Sequence, residues 1–249
     1  MSVAAIEVEG VQKAFGRAPL LEGVDLRVSP GQRLGLIGPA AAGKTVLLKL
    51  IAGLERPDRG AVRVGDCDIA ALPESQIMKV RQRIGMAFQS YALFDFMTVG
   101  ENVAFPLART GQLSRDEIAA RASERLRQVG LAGSEDKMPS ELSGGMKKRV
   151  GIARATVTEP EILIYDEPSA GLDPVTSAKI YELISGIQEQ TGGTVIAVSS
   201  DVAPLIAFSD TVAMLHGGRI AYHGAAGAIY DAGDPLVRQF VRGELEGPL

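Results

Sequence analysis

Gly38-Pro39-Ala40-Ala41-Ala42-Gly43-Lys44-Thr45 is the stretch on which the fold turns. It follows a short apolar run, Arg33 to Ile37, that reads as a strand, and precedes a segment that reads as a helix to about Ala52 with Gly53 as its stop. The stretch fits G-x-x-x-x-G-K-[ST]. Its small residues let backbone N–H groups close around phosphate oxygens at a helix N-terminus, where the helix dipole also favours negative charge. Lys44 then offers a point charge to the β- and γ-phosphates, and Thr45 a hydroxyl to Mg2+. The strand before it and the helix after it set this apart from a chance Gly-Ala loop with a surface lysine.

A second half of the same site is legible at Ile162-Leu163-Ile164-Tyr165-Asp166-Glu167. An apolar strand ending in two carboxylates can present Asp166 to Mg2+ and Glu167 to an attacking water as general base. Alone, such a pair serves as readily as a helix cap or a solvated turn; beside a phosphate loop the chemical reading is favoured. Leu142-Ser143-Gly144-Gly145-Met146 opens a further helix whose Ser-Gly-Gly start is either a second anion-binding terminus or a flexible cap.

Outward from these motifs the chain alternates strands and helices, which implies a parallel sheet covered on both faces. Ile6 to Val11 and Val24 to Val28 read as half-buried strands joined by a Gly16-containing loop that carries Phe15. Strands at Ala61 to Val64 and Ile84 to Phe88 flank a helix from Glu74 to Gln82. From Thr98 to Gly130 the pattern is helical, with Ser114 and Glu117 as a capping box, so residues 98–141 read as a helical insertion between two parts of an α/β core, 1–97 and 142–233. Asp173 caps a helix with Pro174 in its first turn, Thr194 to Val198 is a buried strand, and His216-Gly217-Gly218 turns a hairpin between Thr211 to Leu215 and Arg219 to Tyr222. A tail, 234–249, carries Val237, Phe240 and Val241 at helical spacing.

Composition narrows the remaining classes. At 249 residues, against about 150 per domain, the chain holds one or two domains. Its 26 basic and 30 acidic residues give a net charge of −4, which offers no basic surface for nucleic acid. Cys67 is the one cysteine, so an internal disulfide and a cysteine-built zinc site are excluded and a reducing, cytoplasmic setting is expected, and two histidines, His216 and His223, argue against a His-ligated metal centre. No apolar run approaches the roughly 18 residues of a membrane span, and MSVAAIEVEG lacks the basic and apolar segments of a leader, so the chain is expected neither to span a membrane nor to be exported.

Taken together, the phosphate loop, Gln89 after the strand Ile84 to Phe88, Leu142 to Met146, the Asp166-Glu167 pair and Ser169-Ala170-Gly171-Leu172-Asp173 resemble the ATP-binding subunit of ABC transporters over nearly the whole chain. Four motifs occur in that family's order and spacing. Phe88 to Phe94, Asn102-Val103-Ala104-Phe105-Pro106-Leu107, Met138 to Glu141 and Asp234 to Phe240 are similar to the ATPase of bacterial Mla-type, MCE-associated lipid transporters, as is Met146 where most of these ATPases carry Gln.

The resemblance implies a P-loop ATPase fold with an antiparallel β flank. It implies a head-to-tail homodimer that sandwiches two ATP molecules with Mg2+, each site using one copy's phosphate loop and the other copy's Ser143, Gly144 and Gly145. Phe15 is then the aromatic that stacks on adenine. Gln89 touches Mg2+ and water and reports nucleotide state to the insertion. Asp173 belongs to the dimer-crossing loop, although it is equally a helix cap. Tyr91, Leu93, Phe94, Phe96 and Met97 lie either near the groove that receives a permease helix or in the insertion core. Implied partners are an integral-membrane permease, an MCE-domain protein and a small regulatory subunit, with the chain peripheral on the inner face of the inner membrane and its tail an interaction arm.

Three positions depart from the family pattern. Ala41 stands for a usual Gly, a mild change if its backbone angles suit alanine; Val46 stands for a usual Ser or Thr and removes a donor to an inner phosphate. Ser200 stands where the family's His bonds the γ-phosphate, and a shorter hydroxyl reaches that point only through a water. The expected function is therefore ATP hydrolysis coupled to transport of phospholipid or related hydrophobic substrates across the bacterial envelope. The rival is a slow or inactive regulatory ATP-binding module. An ABC protein acting on DNA or ribosomes fits less well, because the chain has neither a second cassette nor a basic tract.

Overall fold

The computed structural model describes residues 4–16 and 18–249, so Met1 to Val3, part of the stretch read as lacking a leader, and Arg17 lie outside the described residues. The strands are β1 (Ile6–Phe15), β2 (Ala18–Val28), β3 (Arg33–Ile37), β4 (Arg59–Val64), β5 (Cys67–Asp68), β6 (Ile84–Ala87), β7 (Ile162–Asp166), β8 (Thr194–Val198), β9 (Thr211–His216) and β10 (Arg219–Ala225). The α-helices are α1 (Lys44–Ile51), α2 (Glu74–Arg81), α3 (Val99–Thr110), α4 (Arg115–Gln128), α5 (Gly144–Thr156), α6 (Pro174–Thr191), α7 (Val202–Phe208) and α8 (Pro235–Arg242), with single 3-10 turns at Pro139–Glu141 and Ala226–Asp231.

Two sheets organise these elements. Six strands run in the order β10-β9-β3-β8-β7-β6, parallel except for the antiparallel β10 edge; four run antiparallel in the order β2-β1-β4-β5. The expected parallel core with an antiparallel flank is thus present. Period-two alternation splits the core in two. On β7, Ile162 and Ile164 face α1 and the flank, while Leu163 and Tyr165 face the side covered by α3, α4, α5 and α6. Helix α1 lies between the sheets, with Leu47, Leu48, Leu50 and Ile51 buried.

The insertion forms as its capping chemistry dictates. Ser114 and Glu117 exchange hydrogen bonds at the start of α4, and Thr98 and Glu101 do the same at α3. Asn102, fully buried, accepts from the Phe94 N–H at 2.8 Å and donates to the carbonyls of Phe94, Met97 and Thr98, which fixes the segment entering α3.

Some boundaries differ from expectation. Phe15 is not in a loop but ends β1, paired with Ala18, and β2 begins at Ala18 rather than near Val24, because glycine kinks and register shifts prolong the hairpin where clean alternation stops. Strand β5 is too short to show a period, and α7 carries Pro204 in its first turn, where a missing N–H costs nothing. The tail is a helix seated on its own chain: Val237 is fully buried, and Leu236, Phe240 and Val241 pack on the same core. No described helix is long and apolar enough to cross a membrane.

Candidate functional site

The phosphate loop leaves β3 and enters α1 with Gly43 as the N-cap, at φ +101°. Gly38 has φ +146°, and a Cβ there would lie 2.1 Å from the Leu215 carbonyl oxygen, so the hairpin end of β9 leaves room for glycine alone. Ala41 sits at φ +59°, the left-handed region, so its backbone angles do not suit alanine and the condition for a mild substitution is not met. Val46 packs against the core between the sheets, exchanging a donor for apolar contact.

Ala40 to Val46 line a cleft of about 470 Å³ with Phe15, Leu20, Gln89, Asp166, Glu167 and Val198, while Gly38 and Pro39 lie outside that lining. The loop, the adjacent-carboxylate strand end and Gln89 therefore converge although they come from distant parts of the chain. Phe15 is 53% exposed at the rim with the Lys13 ammonium 5.3 Å from its ring centre, so it is not a core residue. The Lys44 ammonium donates to the carbonyls of Gly38 at 2.7 Å and Pro39 at 2.8 Å, within its own loop. Burial lowers its pKa, against the pull of Glu167 and Asp166.

Asp166 is 3% exposed, and its carboxylate oxygen accepts from the Thr45 hydroxyl at a long 3.4 Å. Burial raises its pKa and the neighbouring Glu167 adds to the rise, while the Thr45 hydroxyl and two lysines oppose it. A buried carboxylate with one weak donor, beside a hydroxyl oxygen, is an oxygen-rich pair suited to a hard divalent cation. Among the described residues no group of three or more His, Cys, Asp or Glu could hold a metal by itself, so such a cation would depend on a ligand's oxygens as well.

Glu167 follows the strand with a left-handed backbone, φ +53°. Its N–H donates to the Val198 carbonyl at 2.9 Å, and its Oε2 accepts from both the N–H and the hydroxyl of Ser200, each at 3.0 Å. Ser200 therefore engages the carboxylate itself. His216 and His223 lie on β9 and β10 and do not line the cleft.

Four candidates stand apart. Ser143 caps α5 by accepting from the Met146 N–H at 3.3 Å, and with Gly144 and Gly145 it is absent from the lining of the cleft. Gly145 instead faces Leu172 and Thr176, and Gly144 faces the Tyr91 hydroxyl. Asp173 caps α6, accepting from the Thr176 N–H at 2.9 Å and hydroxyl at 2.5 Å, which lowers its pKa. The capping role is visible in one chain.

A second hollow, of about 370 Å³, lies between the core and the insertion. Of Tyr91, Leu93, Phe94, Phe96 and Met97, Phe94 alone lines it, together with Phe88, Phe105 and Arg154. Leu93 packs into the insertion core, and Phe96 stands 77% exposed. Sequence reading overlooked Lys148 and Arg154, which hold the segment after Gln89. Lys148 donates to the carbonyls of Gln89 and Glu167, and Arg154 to those of Tyr91 and Ala92. Their positions on one helix were legible; their burial was not.

Residues 21–170 match the family model described as ABC transporter. The chain is 38% identical over 245 residues to a protein of Mycobacterium leprae named a probable ribonucleotide transport ATP-binding protein, mkl, covering 98% of this chain and 71% of that one. It is also 38% identical over 244 residues to the intermembrane phospholipid transport system ATP-binding protein MlaF of Escherichia coli K12, covering 98% and 91%. The dimeric post-hydrolysis structure of the ATP-binding cassette MJ0796, bound to ADP and Pi, superposes with a TM-score of 0.83 at 30% identity, covering 89% of this chain and 98% of that one.

Proposed function

Because the chain belongs to the ABC transporter family, it is an ATP-binding and ATP-hydrolysing subunit that works with a membrane permease, and we propose that the cargo is phospholipid or a related hydrophobic substrate of the bacterial envelope. The observation that carries the ATPase reading is the convergence of Lys44, Thr45, Gln89, Asp166 and Glu167 on one cleft. Likeness to MlaF over almost the full length of both chains supports the lipid cargo. The name of mkl points to ribonucleotide as the competing cargo.

In this reading Gly38 to Val46 wrap the phosphates, Lys44 leaves its loop carbonyls for the phosphate oxygens, and Phe15 stacks on adenine. Thr45, Asp166 and Gln89 hold Mg2+, which when bound offsets phosphate charge. Glu167 accepts the proton of the attacking water, while Ser200 fixes the orientation of its carboxylate. Ser143, Gly144 and Gly145 lie off the cleft of their own chain, which favours a head-to-tail homodimer in which the N-terminus of α5 from one copy completes the other's site. Asp173 would then add to the crossing while capping α6.

A permease helix is proposed to dock in the hollow lined by Phe88, Phe94, Phe105 and Arg154, and in this reading the protein works in the cytoplasm against the inner membrane. Residues 1–97 and 142–233 act as the catalytic core and 98–141 as the element that meets the permease. An MCE-domain protein and a small regulatory subunit complete the assembly. Reconstitution with the permease in vesicles tests the cargo. ATP-dependent movement of a labelled phospholipid is expected, and movement of a labelled ribonucleotide with none of the lipid would overturn the lipid assignment.

A further inference from the structure

Lys148, on α5, is 6% exposed and makes no carboxylate ion pair among the described contacts. A buried ammonium is costly unless its donors are used. Here they are spent on two main-chain carbonyls, that of Glu167 at 2.5 Å and that of Gln89 at 3.5 Å, with the ammonium 5.3 Å from the Tyr91 ring centre. The first carbonyl belongs to a strained residue, and the second lies two residues before a strained turn. Glu167 has φ +53°, and Tyr91 and Ala92 have φ +61° and +50°. Left-handed residues of this kind persist only where surrounding bonds over-determine them.

We propose that Lys148 is a positioning residue that ties the backbone of Glu167 to the Gln89 loop, so that a displacement of that loop is read at the Glu167 carboxylate. The inference rests on the reading of Glu167 as general base. The helix that carries Lys148 also carries Arg154, which donates to Tyr91 O at 2.9 Å and Ala92 O at 2.6 Å and lines the proposed permease hollow. Arg154 therefore grips the loop alone, whereas Lys148 grips the loop and Glu167 together. That difference supplies the control.

Lys148→Met keeps the length of the stem and removes the donors; Lys148→Arg keeps charge and donors. On the full chain, ATP turnover, ATP affinity and amide hydrogen exchange at residues 89–94 and 167–170 are measured. Lys148→Met is expected to lower kcat about ten- to hundredfold, the scale of a small displacement of a reacting group, with ATP affinity within about twofold of wild type and faster exchange in both segments. Lys148→Arg is expected to recover most of the kcat.

Arg154→Met is expected to speed exchange in both segments when Lys148 is present, but only at 89–94 when it is combined with Lys148→Met. Wild-type kcat and exchange in Lys148→Met, or an equal response of 167–170 to Arg154→Met in both backgrounds, would overturn the tie. Undiminished turnover in Glu167→Gln would remove the general-base reading while leaving the exchange cycle to score the tie separately.

Discussion

The Ser200 hydroxyl and N–H both donate to the same oxygen of Glu167, Oε2, at 3.0 Å. A residue standing where the family pattern has a γ-phosphate ligand is thus committed to holding the carboxylate in place. One of the two bonds is main-chain and survives any substitution of the side chain. Ser200→Ala is therefore expected to lower turnover only about tenfold, the worth of one hydrogen bond to a charged group, with ATP affinity unchanged. Ser200→His releases Oε2 from the hydroxyl and offers a longer donor toward the phosphate; steady-state phosphate release in the assembled transporter should rise. An unchanged or lower rate would show that Ser200 does not limit turnover.

Ala41 pays for a left-handed backbone that glycine would adopt freely. The strain is about 1–2 kcal/mol, partly offset by the greater chain entropy that glycine loses on folding. Ala41→Gly is expected to stabilise the nucleotide-free protein by roughly 0.5–1 kcal/mol, a rise of a few degrees in thermal denaturation at most. A lower melting temperature would contradict the account of this loop.

The tail divides at Gly243. Upstream, Val237 is buried in the chain's own core; downstream, Leu245 is fully exposed. Removal from Asp234 onward should therefore lower thermal stability, and Val237→Ala alone should cost about 1–3 kcal/mol. Removal after Gly243 takes away the Glu244 carbonyl and the Leu249 N–H that pair with the Gln239 amide, so it should cost far less stability than the longer deletion, and it should weaken dimerisation if this segment is the interaction arm. Sedimentation of both truncations with ATP distinguishes the two roles; an unaltered dimer in the shorter deletion would sink the arm.

At the opposite end of β3, Asp210 accepts from the Arg33 N–H at 2.8 Å and from its guanidinium at 2.9 Å. Burial opposes ionisation of Asp210, but the bonds and charge of Arg33 outweigh it and hold the carboxyl below its usual range. A depressed folded-state pKa contributes stability that is full above the unfolded value, about 3.9, and is lost as pH falls through the folded one. Asp210→Asn should flatten the acid side of the stability curve. The same acid slope in chemical denaturation of the variant would contradict this.

The parts of the molecule legible in sequence were those written locally. The phosphate loop sits between its strand and helix, and Ser114 with Glu117, and Asp173 ahead of Pro174, cap the helices they were expected to cap. Unbroken apolar runs marked β7 and β8, because both faces of that sheet are covered. Less legible was whatever depends on long-range placement. A lysine in an amphipathic helix is ordinarily solvated, and Lys148 is buried only because the Gln89 and Glu167 backbones close over it. The torsion of Ala41, the seating of α8 and the choice of Phe88, Phe105 and Arg154 to line the hollow are likewise set by tertiary neighbours.

The central claim is that Glu167 drives ATP hydrolysis in a cleft completed on dimerisation and controlled by a permease. Phosphate release from the purified chain, with and without its permease and with Glu167→Gln as control, tests it most directly. Turnover that the permease stimulates and that Glu167→Gln abolishes, with ATP still bound, is the predicted result. No Glu167-dependent turnover under either condition would contradict it and leave a module that binds ATP without spending it.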